Sequence, residues 1–338
     1  MKKVMAVYDT DPFYAERFAD FINRREKIPM AVMAFTSMER LKKYGETHDI
    51  EILLVSSQAD KKAVEDIKAA QVVVLSDGSP ESGEEDYPAV YKYQSSDKII
   101  REVMACYGEE AALGDPYPLM GTAKILCVYS PVNRCQKTSF ALTLGQILAE
   151  EDRTLYINLE DFSGMSALMN EMFTGSISDL LYYYRQGQCS WARLSSMIYT
   201  WGDLDYIPPA RYPEDLSQTE GTYLAGFLSD LAKTSVYRMI VVDAGQSGKT
   251  AVDIMEVCDV VYMPVREDFI SQAKIGEFEK YLEVSGRGYL AGKIRKLRLP
   301  ARQRVSRETT FIKGLAWSEL GDYVRSILKG GGYDGSDS

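Results

Sequence analysis

A chain of 338 residues is long enough for roughly two domains. Its 46% hydrophobic and 26% charged residues are ordinary globular composition, with no apolar run long enough to span a bilayer. A net charge of −10 argues against general affinity for nucleic acid, and five scattered cysteines with a single histidine, His48, argue against a soft-ligand metal centre and fit a reducing cytoplasm.

The opening residues, Met-Lys-Lys-Val-Met-Ala-Val-Tyr-Asp, reach an acid too early for a secretion signal and read as a first strand. Strands are expected over 3–8, 31–34, 51–56, 72–76 and 89–93. Helices are expected over 12–25, 38–44, 61–69 and 97–107. Such alternation builds a parallel, doubly wound sheet, so residues 1–108 are expected to be one α/β domain. Residues 77–87 carry five acids among turn formers and read as a solvated loop. A linker follows over 109–121, whose Gly-Asp-Pro-Tyr-Pro cannot be helical through its prolines.

The second domain is expected over 122–330, with strands at 124–130, 154–158, 204–207, 237–243, 260–265 and 293–299. A closing helix over 316–328 would set Trp317, Leu320, Val324, Ile327 and Leu328 on one face and end at Gly330. The tail 331–338 reads as disordered.

The segment Ser-Pro-Val-Asn-Arg-Cys-Gln-Lys-Thr-Ser over 130–139 carries the chemistry. It follows a buried strand and precedes a helical run. Amide N–H groups at a helix start, with the helix dipole behind them, make an anion site. Asn133, Arg134, Cys135, Gln136, Lys137, Thr138 and Ser139 would cradle a nucleotide phosphate. Lys137 would reach the outer phosphates, and the Thr138 hydroxyl would hold Mg²⁺. As a bare pattern the segment lacks the glycines of a phosphate loop, with Pro131 and Gln136 in their places. The alternative is an ordinary strand, turn and helix bearing a surface Lys-Thr pair.

Three further segments follow in order: Tyr-Ile-Asn-Leu-Glu-Asp at 156–161, Met-Ile-Val-Val-Asp-Ala-Gly at 239–245, and Asp-Val-Val-Tyr-Met-Pro-Val at 259–265. Together with the phosphate loop they make residues 122–328 resemble the MinD/ParA ATPases. With a receiver-like domain in front, the chain resembles the TadZ/CpaE group of pilus-assembly and localisation ATPases. The resemblance implies an ATP- and Mg²⁺-binding P-loop domain that forms a homodimer and serves a localisation, pilus or secretion machine. It implies that Asp243 ends the Walker B strand and holds the metal, and that Gly245 lies beside the γ-phosphate. It places Glu160 as the acid that positions water, Asn158 at the partner acid of that pair, and Pro300 against the base. Asp243 and Glu160 are thus the candidate catalytic residues, with Thr138 and Asp243 on the metal.

The departures from the family pattern are equally specific. The lysine that acts across the family's dimer is here Val132, and the loop glycines are Asn133, Arg134 and Gln136. A non-glycine residue forced into a left-handed conformation costs about 1–2 kcal/mol. Asn133 is the residue expected to tolerate it best. Hydrolysis is therefore expected to be slow or absent. The rival expectation is a scaffold that has lost nucleotide binding, and a third is a DNA partitioner, which the acidic balance disfavours.

Residues 1–108 resemble a response-regulator receiver. Asp9 and Asp11 stand at the acidic-pair position, Ser76 and Lys92 at the switch positions, and Ser56 and Ser57 where the phosphorylated aspartate belongs. Serine cannot form an acyl phosphate, so Asp9 and Asp11 are expected to serve as remnants or helix caps, in an interaction module. Nine basic residues from Arg287 to Lys313 against one acid, Glu308, reverse the local sign of charge. A face balanced by acidic neighbours and a protein-docking patch are both open readings.

Overall fold

The computed structural model describes residues 3–25, 28–78, 87–110, 122–245, 248–301 and 311–330. The tail, most of the linker, the centre of the acidic loop, Gln246, and Arg302, Arg304, Arg307 and Glu308 of the basic stretch lie outside the described residues. The chain divides into two compact units, residues 1–118 with 188–198, and residues 119–187 with 199–338.

The first unit is a five-stranded sheet ordered β2-β1-β3-β4-β5, with every neighbouring pair parallel. The strands are β1 (Val4–Tyr8), β2 (Ala31–Phe35), β3 (Ile50–Ser56), β4 (Ala69–Ser76) and β5 (Ala89–Tyr91). That order is the flavodoxin-like doubly wound arrangement. All of β1 is buried, as a central parallel strand covered on both faces must be. Helix α1 (Pro12–Arg25) buries Ala15, Phe18, Ala19 and Ile22, the spacing of a one-faced helix. Helices α2 (Met38–Gly45), α3 (Lys61–Glu65) and α4 (Ser96–Glu110) complete the alternation.

Helix α3 is shorter than the expected 61–69, because Ala69 already begins β4. β5 ends at Tyr91, which leaves Lys92 just beyond the strand. The unit also takes in α8 (Trp191–Met197), which packs on α4 with Trp191 5.6 Å from the Tyr107 ring. No sequence signal marks this excursion of the chain.

The second unit is a seven-stranded sheet ordered β12-β11-β6-β10-β7-β9-β8. Its strands are β6 (Lys124–Val128), β7 (Thr154–Asn158), β8 (Tyr199–Trp201), β9 (Leu204–Ile207), β10 (Met239–Asp243), β11 (Val260–Pro264) and β12 (Ile294–Leu297). All pairs are parallel except β8–β9, so the expected all-parallel sheet carries one antiparallel edge strand. Several strands end one or two residues inside their expected limits, because the phosphate loop and its neighbours begin as soon as the ladder stops.

Leu126, Val128, Tyr156, Val241 and Tyr262 face a core closed by α5 (Lys137–Ala149), α13 (Phe311–Leu315) and α14 (Glu319–Leu328). Alternation turns Ile125, Cys127, Ile157, Ile240 and Val242 to the other face, where they are also buried, and α10 (Gly221–Thr234) packs against β6.

The closing helix expected over 316–328 starts three residues later, at Glu319, and a separate short helix, α13, precedes it. The chain breaks between Leu315 and Glu319, where Ser318 caps α14 by accepting from the Gly321 N–H. Trp317 falls in that break and is exposed, while Leu320 and Val324 are buried as expected. No described helix is long and apolar enough to cross a membrane.

Candidate nucleotide site

In a parallel sheet the functional groups gather at the carboxyl ends of the strands. Strands β6, β10 and β7 lie side by side, in register from Lys124, Met239 and Thr154. Their ends therefore bring the 130–139 segment, Asp243 and Asn158 to one edge. The loop leaves β6 with the Ser130 hydroxyl accepting from the Val132 N–H at 3.1 Å. It then turns through two left-handed residues, Arg134 (φ 57°) and Gln136 (φ 65°). The strain thus sits on Arg134 and on Gln136, the residue before the lysine, and not on Asn133, the residue best able to tolerate it. Helix α5 starts at Lys137, so the loop amides meet a helix N-terminus.

Val132 points inward and is 3% exposed. It packs with Cys135, Ile275 of α12 (Phe269–Val284) and Val265. The Cys135 thiol donates to the Val132 carbonyl at 3.1 Å, and burial pushes that thiol up from its ordinary pKa. Asn133 and Arg134 are exposed on the outer turn.

Lys137 is buried. Its ammonium donates to the Gly245 carbonyl at 3.1 Å and lies 3.7 Å from a Glu160 carboxylate oxygen. Gly245 adopts φ +69°, and a Cβ there would stand 2.5 Å from the Leu159 carbonyl oxygen, so the position admits only glycine. Asn158 folds the end of β7. Its amide donates to the Tyr156 hydroxyl at 2.8 Å, and its carbonyl oxygen accepts from the Glu160 N–H at 2.9 Å.

Asp243 is fully buried, and neither carboxylate oxygen has a hydrogen-bond partner among the described residues. Burial, then the charge of Glu160, pushes its pKa up to about 6, against the opposing pull of the Thr138 hydroxyl and the Lys137 ammonium. A buried carboxylate that lacks a close hydrogen bond is costly, and the weaker influence of Thr138, Lys137 and the Gly245 backbone offsets only part of that cost. Here the carboxylate lies near the Thr138 hydroxyl, and these oxygens suit a hard divalent cation bound to oxygen and water, while the Lys137 ammonium is suited to an anion.

An open cavity of about 980 Å³ lies over the loop. Asn133, Arg134, Cys135, Gln136, Lys137, Thr138, Ser139, Glu160 and Pro300 line it, which gathers most of the expected site residues. Asp243 and Gly245 lie behind, reached through Lys137. Val265, Arg266, Leu299 and Ala301 also line the cavity and were not among the expected residues. For the last two the available signal was their adjacency to Pro300. Arg266 carried none beyond its place after the Pro-Val pair of 264–265.

The receiver-like unit holds a different arrangement at its own strand ends. Asp9 is 1% exposed and pairs with Lys92 at 3.0 Å, while its other oxygen accepts from the Asp11 N–H. Asp11 accepts from the Phe13 N–H at 2.9 Å and so caps α1. Ser56, at the end of β3, is buried and accepts from the Gln58 N–H. His48 is exposed and stacks on Tyr44 at 4.0 Å. Three of the six described basic residues of the stretch are paired with acids: Arg287 with Asp253 at 2.7 Å, Lys296 with Glu279 at 2.6 Å and Arg298 with Glu267 at 2.8 Å. Those pairs favour the balanced face over the docking patch.

No curated protein matches the chain. Among solved structures, a plasmid partition protein of Borrelia burgdorferi bound to AMPPNP is 16% identical, covering 62% of this chain and all of its own, with a TM-score of 0.46. A ParA family ATPase of Chlorobium tepidum is 15% identical over 61% of this chain and 98% of its own, with a TM-score of 0.49. The cobyrinic acid a,c-diamide synthase of Mycobacterium smegmatis with a bound ATP analogue and magnesium is 11% identical over 61% and 94%, with a TM-score of 0.46. The family model "TadZ-like, receiver domain" matches residues 1–108, which hold the 2-1-3-4-5 parallel sheet and the Asp9–Lys92 pair. The chain therefore carries a TadZ-like receiver domain at its N-terminus.

Proposed function

We propose that the second unit binds ATP with Mg²⁺ and works as a nucleotide-dependent localisation or assembly factor of the MinD/ParA type, serving a pilus or secretion machine. The observation that carries this reading is Asp243, a fully buried carboxylate without a hydrogen-bond partner among the described residues, at the foot of a strand–loop–helix unit. Thr138 through its hydroxyl and Asp243 through water would hold the cation. When bound, Mg²⁺ supplies positive charge against the phosphate oxygens.

The chain's own residues do the rest. The 133–139 amides orient the phosphates, Lys137 meets the outer phosphate, and Leu299 with Pro300 forms an apolar wall on the base side. Glu160 holds the Lys137 ammonium in the free protein and is released to position water when phosphate takes that ammonium. Hydrolysis is slow, below about one turnover per minute without a partner, because little charge remains for the transition state. The protein acts in the cytoplasm as a homodimer, with the receiver domain as its interaction platform.

A second reading, a scaffold without nucleotide, is favoured by one observation: Lys137 already has two partners inside the protein. Calorimetric titration of ATP with and without Mg²⁺ decides between them. The proposal expects Mg²⁺-dependent binding that Lys137→Ala weakens by at least tenfold. Absence of binding at millimolar ATP, or equal binding by the variant, refutes it.

A further inference from the structure

We propose that Gln136 is a latch across the nucleotide cavity, tying the phosphate loop to the base-side wall and restraining nucleotide entry. This inference rests on the nucleotide-binding reading given above. Gln136 is the residue immediately before Lys137, and it is held at φ 65°, a conformation that an L side chain enters at a cost. Its side-chain amide reaches across 164 residues of sequence to donate to the Pro300 carbonyl at 2.9 Å. Both residues line the same cavity, Gln136 from the loop and Pro300 from the segment after β12. A hydrogen bond between two walls of an open cavity holds those walls at a fixed separation.

The opposite side of the loop is tethered as well, through Lys137 to the Gly245 carbonyl and to Glu160. The free protein thus ties the loop on both flanks. The Lys137 tether is one that an incoming phosphate replaces directly, since the ammonium exchanges carboxylate for phosphate. The Gln136 tether has no such exchange, because a neutral amide gains little from a phosphate that already faces Lys137 and the loop amides. Opening it is therefore a cost that entry must meet. A glycine at this position would carry neither the backbone strain nor the latch.

The step is conformational, so the readouts are a rate and a local exchange rate. Gln136→Met keeps the length of the side chain and its strained backbone and removes only the donor. Gln136→Gly removes the donor and the strain together. Stopped-flow binding of a fluorescent ATP analogue with Mg²⁺ should be faster in both variants, by roughly 2- to 10-fold, the weight of one such hydrogen bond. Hydrogen–deuterium exchange of the nucleotide-free protein should rise over 133–137 and over 298–301 together in Gln136→Met. Wild-type association rates in Gln136→Met overturn the latch and leave the nucleotide reading standing. Faster association in Gln136→Gly alone assigns the effect to backbone strain and likewise overturns the latch. If wild-type protein binds no analogue at all, the nucleotide reading falls and the gating role falls with it.

Discussion

Removing the buried charge at Asp243 should make the nucleotide-free protein more stable, by an amount that depends on pH in a calculable way. The carboxyl titrates near 3.9 in an unfolded chain and is pushed up to about 6 by burial and by Glu160. Between those values the folded protein binds more protons than the unfolded chain. The stabilisation that comes with the protonated form is complete below pH 4 and is lost as pH rises through about 6. The total loss is about 3 kcal/mol. Asp243→Asn has the same shape and no charge, so it escapes the loss. It brings a buried amide N–H₂ that also lacks a partner, and that cost is independent of pH. The difference between two pH values isolates the charge. At pH 8 the whole penalty is present, and at pH 5 only about half, so the variant's advantage should be greater at pH 8 by about 1.4 kcal/mol. Urea unfolding of both proteins in EDTA, at the two pH values, measures it. An advantage that is equal at both, or larger at pH 5, refutes the argument that Asp243 is an uncompensated charge waiting for a cation. Adding Mg²⁺ and ATP should raise the melting temperature of wild type and leave the variant unmoved.

Three further outcomes follow from single contacts. Gly245→Ala must place a Cβ 2.5 Å from the Leu159 carbonyl at φ +69°, and should cost more than about 2 kcal/mol; a melting temperature within a degree of wild type contradicts the geometry. Lys92→Met leaves Asp9 buried with the Asp11 N–H as its partner among the described residues, and should destabilise the receiver domain by about 3–5 kcal/mol, read by chemical unfolding; a neutral result refutes the buried ion pair. Acetyl phosphate should leave no labile phosphate on residues 1–108 by intact mass, because Ser56 occupies the end of β3; a mass increase of one phosphate would show another acceptor.

Much of this was legible in sequence because it was local or periodic. The βα alternation, the strand–loop–helix unit around Lys137, and the acid at the end of the 239–243 strand depend on neighbours in the chain. The structure sets those elements in the order that joins β6, β10 and β7. What was not legible depended on distant partners. β8 is three residues with no alternation to read, and it exists only because β9 offers an edge. The contacts Gln136–Pro300 and Lys137–Gly245 span 164 and 108 residues. Which of the three loop positions, 133, 134 and 136, would be left-handed was not legible; the turn uses Arg134 and Gln136. Trp317 fitted a helical face until Ser318 capped a new helix after it.

The loop's departures from the family pattern become coherent once Val132 is located. A lysine able to act on a partner's nucleotide would have to project outward. Val132 instead turns into a small apolar cluster with Cys135 and Ile275, which anchors the loop to α12. No change of rotamer could restore a charge at that place, because the position has become core. Arg134 is the exposed cation of the loop and is held in the left-handed turn, and Arg266 on the cavity rim is paired with Asp268 at 3.1 Å. In the nucleotide-binding reading proposed above, Lys137, Thr138 and Asp243 would grip a phosphate and its metal, while position 132 offers packing and no cation. Tight positioning of a bound nucleotide needs the first set alone; rapid phosphoryl transfer needs the second. If the proposed nucleotide binding holds, a loop pinned by Val132 below, by Gln136 on one side and by Lys137 on the other would suit a protein whose output is its nucleotide-bound state, with turnover left to a partner able to supply the missing charge.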